Sequence, residues 1–220
     1  MKINIAILLI VLVSFAVCIY FYPQMPEAMV SHWNAQGNPD GYMPKFWGLF
    51  MVPFITIVMA VFFLLIPKID PLKSNIEKFR NYFDNFVLLI VLFMFYIHAL
   101  TIFWNLGIKF NLIQFLVPAL GILFYYCGIL VEKAKRNFFI GIRTPWTLSS
   151  DSVWDKTHKL GGKLFKAAGV VALLGIFIQK YAFFIFLFSI IFASVYSVVY
   201  SYFEYRKERF KQNSNASFDK

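Results

Sequence analysis

The chain has 220 residues, 60% of them hydrophobic, 20% aromatic and only 15% charged, with a formal net charge of +10. That balance excludes an ordinary soluble domain and a disordered chain, both of which carry far more polar surface. It also excludes a nucleic-acid-binding domain: the basic residues lie in short segments between apolar runs and build no soluble basic face, so no direct nucleic-acid partner is expected.

A hydrocarbon core about 30 Å thick takes about 20 apolar residues of helix to cross. Six runs approach that length, at 3–22, 46–66, 83–104, 112–131, 164–179 and 181–203. Helices satisfy their own backbone groups in lipid, and no alternating strand pattern competes. The expected fold is an all-α integral membrane protein with six transmembrane helices.

The first run imitates a signal peptide, with Lys2 ahead of Ile3–Val17, and Cys18 imitates a lipoprotein cleavage site. Val17 stands where a small residue would be wanted, however, and the run continues into Tyr20-Phe21-Tyr22, so an uncleaved span is expected. An outer polar loop, 23–45, follows. Asn34, Gly37, Asn38-Pro39 and Asp40-Gly41 are turn residues, and His32, Asn34 and Asp40 are expected to point into one compact loop. Trp33, Tyr42, Phe46 and Trp47 would seat it at headgroup depth. The candidate ligand-binding residues are His32, Trp33, Asn34, Gly37, Asp40 and Tyr42; the plainer reading is a loop that only caps the bundle.

In the third run, His98, Thr101 and Asn105 form a polar stripe at helical spacing that faces the bundle. His98 reads either as a neutral imidazole hydrogen-bonded to a neighbouring helix or as a proton or metal group. Cys127, near the inner end of the fourth run, differs in depth from Cys18 by roughly 15 Å at helical rise, so no disulfide is expected. The inner loop, 132–163, is the longest non-spanning stretch. Pro145 pushes Thr144 towards extended geometry and holds Arg143 out, where it reads either as a bidentate partner for carboxylate or phosphate or as an interfacial anchor. Ser149 or Ser150 is an expected N-cap. Trp154, Thr157-His158, Gly161 and Phe165 recur on one face that would rest on the membrane, with Gly161-Gly162 permitting a bend into the fifth span. The candidate partner-binding residues here are Arg143, Thr144, Trp146, Trp154 and His158. Gln179-Lys180 is expected to form a tight outer turn. Ser194, Ser197 and Ser201 read as a packing face on the sixth helix, and the basic tail 204–220 as a frayed helix end followed by disorder.

Under this alternation every Lys and Arg except Lys45, Lys109 and Lys180 falls on one face. The positive-inside rule places that face and both termini in the cytoplasm of a multi-pass cell-membrane protein, with anionic lipid headgroups as partners. Two units are expected: 1–66, a two-helix unit with the outer loop, and 67–220, a four-helix unit with the inner loop and tail. No acidic, Lys or Arg side chain lies at mid-depth, His98 in the outer third of the third run being the exception among titratable groups, which argues against ion-coupled transport. Catalytic and metal-binding motifs are absent, and the histidines at 32, 98 and 158 fall outside, within and inside the membrane. Neither an enzyme nor a metal or cofactor is expected.

Pro26, His32-Trp33-Asn34, Gly37, Pro39-Asp40-Gly41-Tyr42 and Lys45, followed by a helix containing Pro53, resemble the N-terminal domain of unknown function of SdpI-like membrane proteins. Gly141-Ile142-Arg143-Thr144-Pro145-Trp146-Thr147, with Val153-Trp154 and Thr157-His158 after it, resembles the C-terminal signature of the same family. The resemblance implies an immunity protein against a secreted, membrane-active toxin peptide. It also implies a receptor that, with toxin bound, holds a cytoplasmic autorepressor at the membrane. The implied partners are thus a toxin peptide, a repressor protein and membrane lipids. The alternative is a small membrane transporter or lipid-handling protein, because helices 1–3 and 4–6 enter the membrane with opposite orientation and a long segment follows the first helix of each half. A metal-dependent membrane enzyme is a third reading, motivated only by His32 and Asp40.

Overall fold

The computed structural model describes residues 2–177 and 181–218. Its elements in chain order are α1 (Lys2–Phe21), β1 (Ala28–Trp33), β2 (Pro39–Pro44), α2 (Lys45–Ile69), α3 (Lys73–Glu77), α4 (Arg80–Asn105), α5 (Leu112–Lys133), α6 (Pro145–Ser149), α7 (Asp151–Leu174) and α8 (Ala182–Phe218). Five helices among the described residues are long and apolar enough to cross a membrane: Ile3–Gln24, Lys45–Ile69, Arg80–Asn105, Leu112–Lys133 and Ala182–Lys211.

Three expectations need correction. The fold is not all-α, because the outer loop is an antiparallel hairpin of β1 and β2, with bulges on either side of His32. Its backbone needs partners that a free loop would take from water, and α4 supplies one. Asn105 Oδ1 accepts from Val30 N (2.8 Å) while its Nδ2 donates to Val30 O (2.9 Å), so a side-chain amide stands in for a third strand. Second, the fifth helix starts at Asp151, where Ser150 Oγ accepts from Val153 N (3.2 Å), and continues without interruption through Gly161-Gly162 to Leu174. Its first half carries Asp151, Asp155, Lys156, Lys159 and Lys163 and falls short of the other five in apolarity. Third, the tail remains helical to Phe218, consistent with strong helix formers and the Glu204–Lys207 pair three residues apart (2.9 Å). The turn expected at Gln179-Lys180 lies outside the described residues.

The helices α1, α2 and α4 pack together over Ile7, Ala60, Phe83, Val87 and Val91, which are all buried. Met29 of the hairpin is driven between them onto Cys18, Leu49 and Ile102. Gly48 makes room for it: a Cβ there would lie 2.8 Å from Met29 Cβ.

The helices α5, α7 and α8 form a second group. Gly121 and Gly128 on α5 face Gly169 and Gly162 on α7, so the two helices run antiparallel with their backbones in contact. A Cβ at Gly128 would meet Gly162 O at 2.5 Å, and one at Gly169 would meet Gly121 O at 2.6 Å. Without a hydrophobic drive between helices in lipid, close backbone packing of this kind is the main attraction available. The contact runs the length of α5. Trp154 Nε1 donates to Ala134 O just past one end (2.8 Å), and Gly175 lies against Val117 near the other.

Candidate functional site

The hairpin and the 134–158 segment lie at opposite ends of the helices and are built very differently. In the hairpin, Asn34 Oδ1 accepts from Gln36 N and Asn38 N (both 3.0 Å), closing the turn around Gly37, whose φ of +82° is a left-handed conformation that favours glycine. The tip is tied down by Asn111. Its Oδ1 caps α5 by accepting from Ile113 N (3.0 Å), and its Nδ2 donates to Gln36 O (2.8 Å). His32 lies over Gly41, and its Nδ1 donates to Asp40 Oδ1 (2.5 Å), with the imidazole side chain 71% exposed. Tyr42 is also exposed, while Trp33 packs edge-on against Trp104.

Of the six outer candidates, the structure joins His32 to Asp40 and leaves these two and Tyr42 exposed. Asn34, Gly37 and Trp33 shape and seat the turn beneath them. Among the described residues no three His, Cys, Asp or Glu side chains come together in a group that could hold a metal. Below the hairpin, Cys18 Sγ donates to Leu49 O (3.2 Å) and lies 3.5 Å from His98 Nε2. His98 therefore contacts a neighbouring helix.

The inner segment is a lock. Trp154 and His158 are almost fully buried and stack at 3.8 Å. His158 Nδ1 donates to Trp154 O (2.8 Å), and its Nε2 accepts from Ile142 N (2.9 Å), which fixes the neutral tautomer protonated at Nδ1. Burial pushes the imidazole down to about 4, against the weaker opposing pull of the Trp154 carbonyl and Asp155. Gly141 adopts φ +112°, and a Cβ there would meet His158 Nε2 at 2.3 Å. Thr144 and Thr147 form a reciprocal cap at the start of α6, and Thr147 Oγ1 donates to Ile142 O (2.8 Å). Thr144 Oγ1 also reaches Ser201 Oγ on α8 (3.1 Å).

The face expected to rest on the membrane, Trp154, Thr157-His158 and Gly161, is therefore turned inward. Gly161 packs on Ile142 and Ser197. Arg143 stays exposed and donates to Phe138 O (2.7 Å), and Trp146 is half-buried against Tyr202. Thr144, Trp154 and His158 are internal, leaving Arg143 and Trp146 as the reachable inner candidates.

Three further polar residues hold this end, none of them singled out from the sequence. Asp70 Oδ2 accepts from Phe138 N (2.9 Å), and Asn75 Nδ2 donates to Arg136 O (2.9 Å). Asn137, fully buried, bonds both sides of its own turn through Lys135 O, Ile140 O, Phe139 N and Ile140 N. The available signals were an Asp-Pro pair and a lone Asn beside a charged run, both turn formers.

Two family comparisons cover these segments. Residues 133–201 match the SdpI/YfhL protein family, and residues 9–57 match a domain of unknown function, DUF1648. The chain is 28% identical to the immunity protein SdpI of Bacillus subtilis (strain 168) over 208 residues, covering 94% of this chain and 98% of that protein. No solved structure matches.

Proposed function

We propose that this chain, a multi-pass cell-membrane protein similar to the SdpI/YfhL family, protects its cell from a membrane-active toxin peptide. The observation that carries this reading is the near end-to-end similarity to an immunity protein, with both polar segments inside the matched regions. The docking face for toxin is the hairpin surface of His32, Asp40 and Tyr42. A fixed β-turn tied to two helices presents those side chains without an ordering cost on binding. The inner face around Arg143 and Trp146 is the surface for a cytoplasmic repressor, and Thr144, Trp154 and His158 set its shape.

This assignment needs the two faces on opposite sides of the bilayer, for which α2, α4 and α5 are the three crossings between them; our reading adds a crossing by α7, for six in all with cytoplasmic termini. The support is that α7 follows α5 over its whole length, so that α7, with its apolar half from Leu160, spans the same depth despite its polar start. The concentration of Lys and Arg at the inner end supports the orientation.

The test is survival of a toxin-sensitive host challenged with the toxin of the organism that carries this chain. Expression of the intact chain is expected to protect. His32→Ala is expected to weaken protection at unchanged membrane abundance, while Arg143→Ala leaves protection intact and abolishes repressor recruitment. No protection by the intact chain ends the immunity reading.

A further inference from the structure

Between the two helix groups lies a cavity of about 430 Å³ that neither polar segment explains. It falls within the size range of small-ligand sites, about 300–1,000 Å³. Its walls are rings from four helices: Phe62 and Phe63 of α2, Phe86 of α4, Phe124 of α5 and Phe165 of α7. The segment Phe139–Arg143 forms its polar end. The helices make an arc in which α2 packs on α4, α4 on α5 and α5 on α7, while α2 and α7 are not packed on each other. We take the side between α2 and α7, where helix packing does not close the arc, as its lateral opening. Phe62, half exposed, stands at that opening.

The guanidinium at the polar end identifies the occupant. Arg143 is exposed and is held by a single hydrogen bond to Phe138 O, and no carboxylate among the described residues pairs with it. Several neighbouring basic residues are paired, Lys135 with Asp155, Arg136 with Asp151, Lys156 with Glu204 and Lys166 with Glu132, while Lys133, Lys159 and Lys163 do not line the cavity. A planar cation left with free donors beside an aromatic cavity matches an apolar chain carrying an anionic head.

We propose that this cavity is a binding site for one anionic phospholipid of the inner leaflet. An acyl chain enters between α2 and α7 and lies among the phenylalanine rings, and the phosphate pairs with Arg143. The site joins α2 to α7 across the gap that the protein itself leaves open. It shares Arg143 with the proposed repressor surface but not with the toxin-docking hairpin, and a count of bound lipid in purified protein reads this site without repressor or toxin.

The test uses the full chain reconstituted in vesicles of equal parts phosphatidylglycerol and phosphatidylcholine, extracted gently, with retained lipid counted per chain by native mass spectrometry. One phosphatidylglycerol is expected to remain in preference to phosphatidylcholine. Arg143→Gln should weaken its retention by about tenfold or more, the scale of a charge-assisted hydrogen bond, while Arg143→Lys keeps part of it. Filling the cavity with Val131→Trp, or with Cys127→Phe where the first variant does not purify as a single species, should displace the lipid with Arg143 intact. Glycerol phosphate should not compete at concentrations that leave the protein folded. Equal retention of both lipids, retention unchanged by Arg143→Gln, or displacement by glycerol phosphate alone would each overturn the proposal. The last outcome would mean a surface phosphate site with an unoccupied cavity.

Discussion

His158 sits where three segments meet, and its two ring nitrogens have opposite duties. Nδ1 must carry a proton for Trp154 O, and Nε2 must lack one to accept from Ile142 N. A second proton would remove the acceptor and place a charge in a site that is 1% exposed. The sign follows from its depression from 6.5 to about 4. Above pH 6.5 the folded and unfolded chains both hold the ring neutral, and stability is full. As pH falls from 6.5 towards 4, the unfolded chain gains a proton that the folded one refuses, and stability is lost, on the order of 3 kcal/mol in total. Thermal unfolding of the purified protein between pH 7.5 and pH 4 should follow that course, and His158→Gln, which keeps an acceptor, should flatten it. An unchanged pH profile in the variant would assign the acid sensitivity elsewhere. The sequence grouped His158 with Trp154 and Gly161 on one helix face but turned that face to the membrane, because its inward role depends on Gly141 approaching from 17 residues upstream, a contact no local spacing records.

At the scale of elements, Gly161 and Gly162 are neighbours with different tasks. Gly162 faces the Gly128 carbonyl at 2.6 Å from a would-be Cβ, whereas Gly161 faces the end of the flexible Ile142 side chain and Ser197. Gly162→Val should therefore force α5 and α7 apart at a cost of about 1–3 kcal/mol. Gly161→Ala, which gains helix propensity and displaces only a side-chain tip, should stay within about 1 kcal/mol. Paired melting curves in detergent check this, and equal losses at both positions would remove backbone contact as the explanation. From the sequence, the pair at 161–162 reads as a bend; each glycine's partner, on another helix, is what makes it a contact. The hairpin was hidden for a related reason. Its strands are short and bulged around His32, the second begins and ends at proline, and their third partner is the Asn105 side chain rather than another strand. The apolar spans were legible because length alone nearly determines them.

For the whole molecule, the sequence supplied the ends of most helices and the separation of two polar faces, but not how the helices divide. The structure gathers α1, α2 and α4 under the hairpin and α5, α7 and α8 around the glycine contact, with the inner lock bridging them through Asp70 and Asn75. That division rests on side-chain complementarity, to which a hydropathy profile is blind. The proposed sixth crossing is testable at this scale. Single cysteines at Asn38 and Tyr181 should label from outside intact cells, and one at Ser149 only after the membrane is opened. Labelling of Ser149 and Tyr181 from the same side would leave α7 without a crossing.

The amide of Asn111 has two employers: it begins α5 and it fastens the tip of the hairpin. A molecule that lifts the tip must therefore either leave Gln36 without its donor or drag the first turn of α5 with it. That helix lies backbone to backbone against α7 at Gly121 with Gly169 and at Gly128 with Gly162, where little side-chain cushion is left to absorb a displacement. The exposed turn and the buried helix pair are mechanically one part, and force applied at one surface has a stiff path to the other.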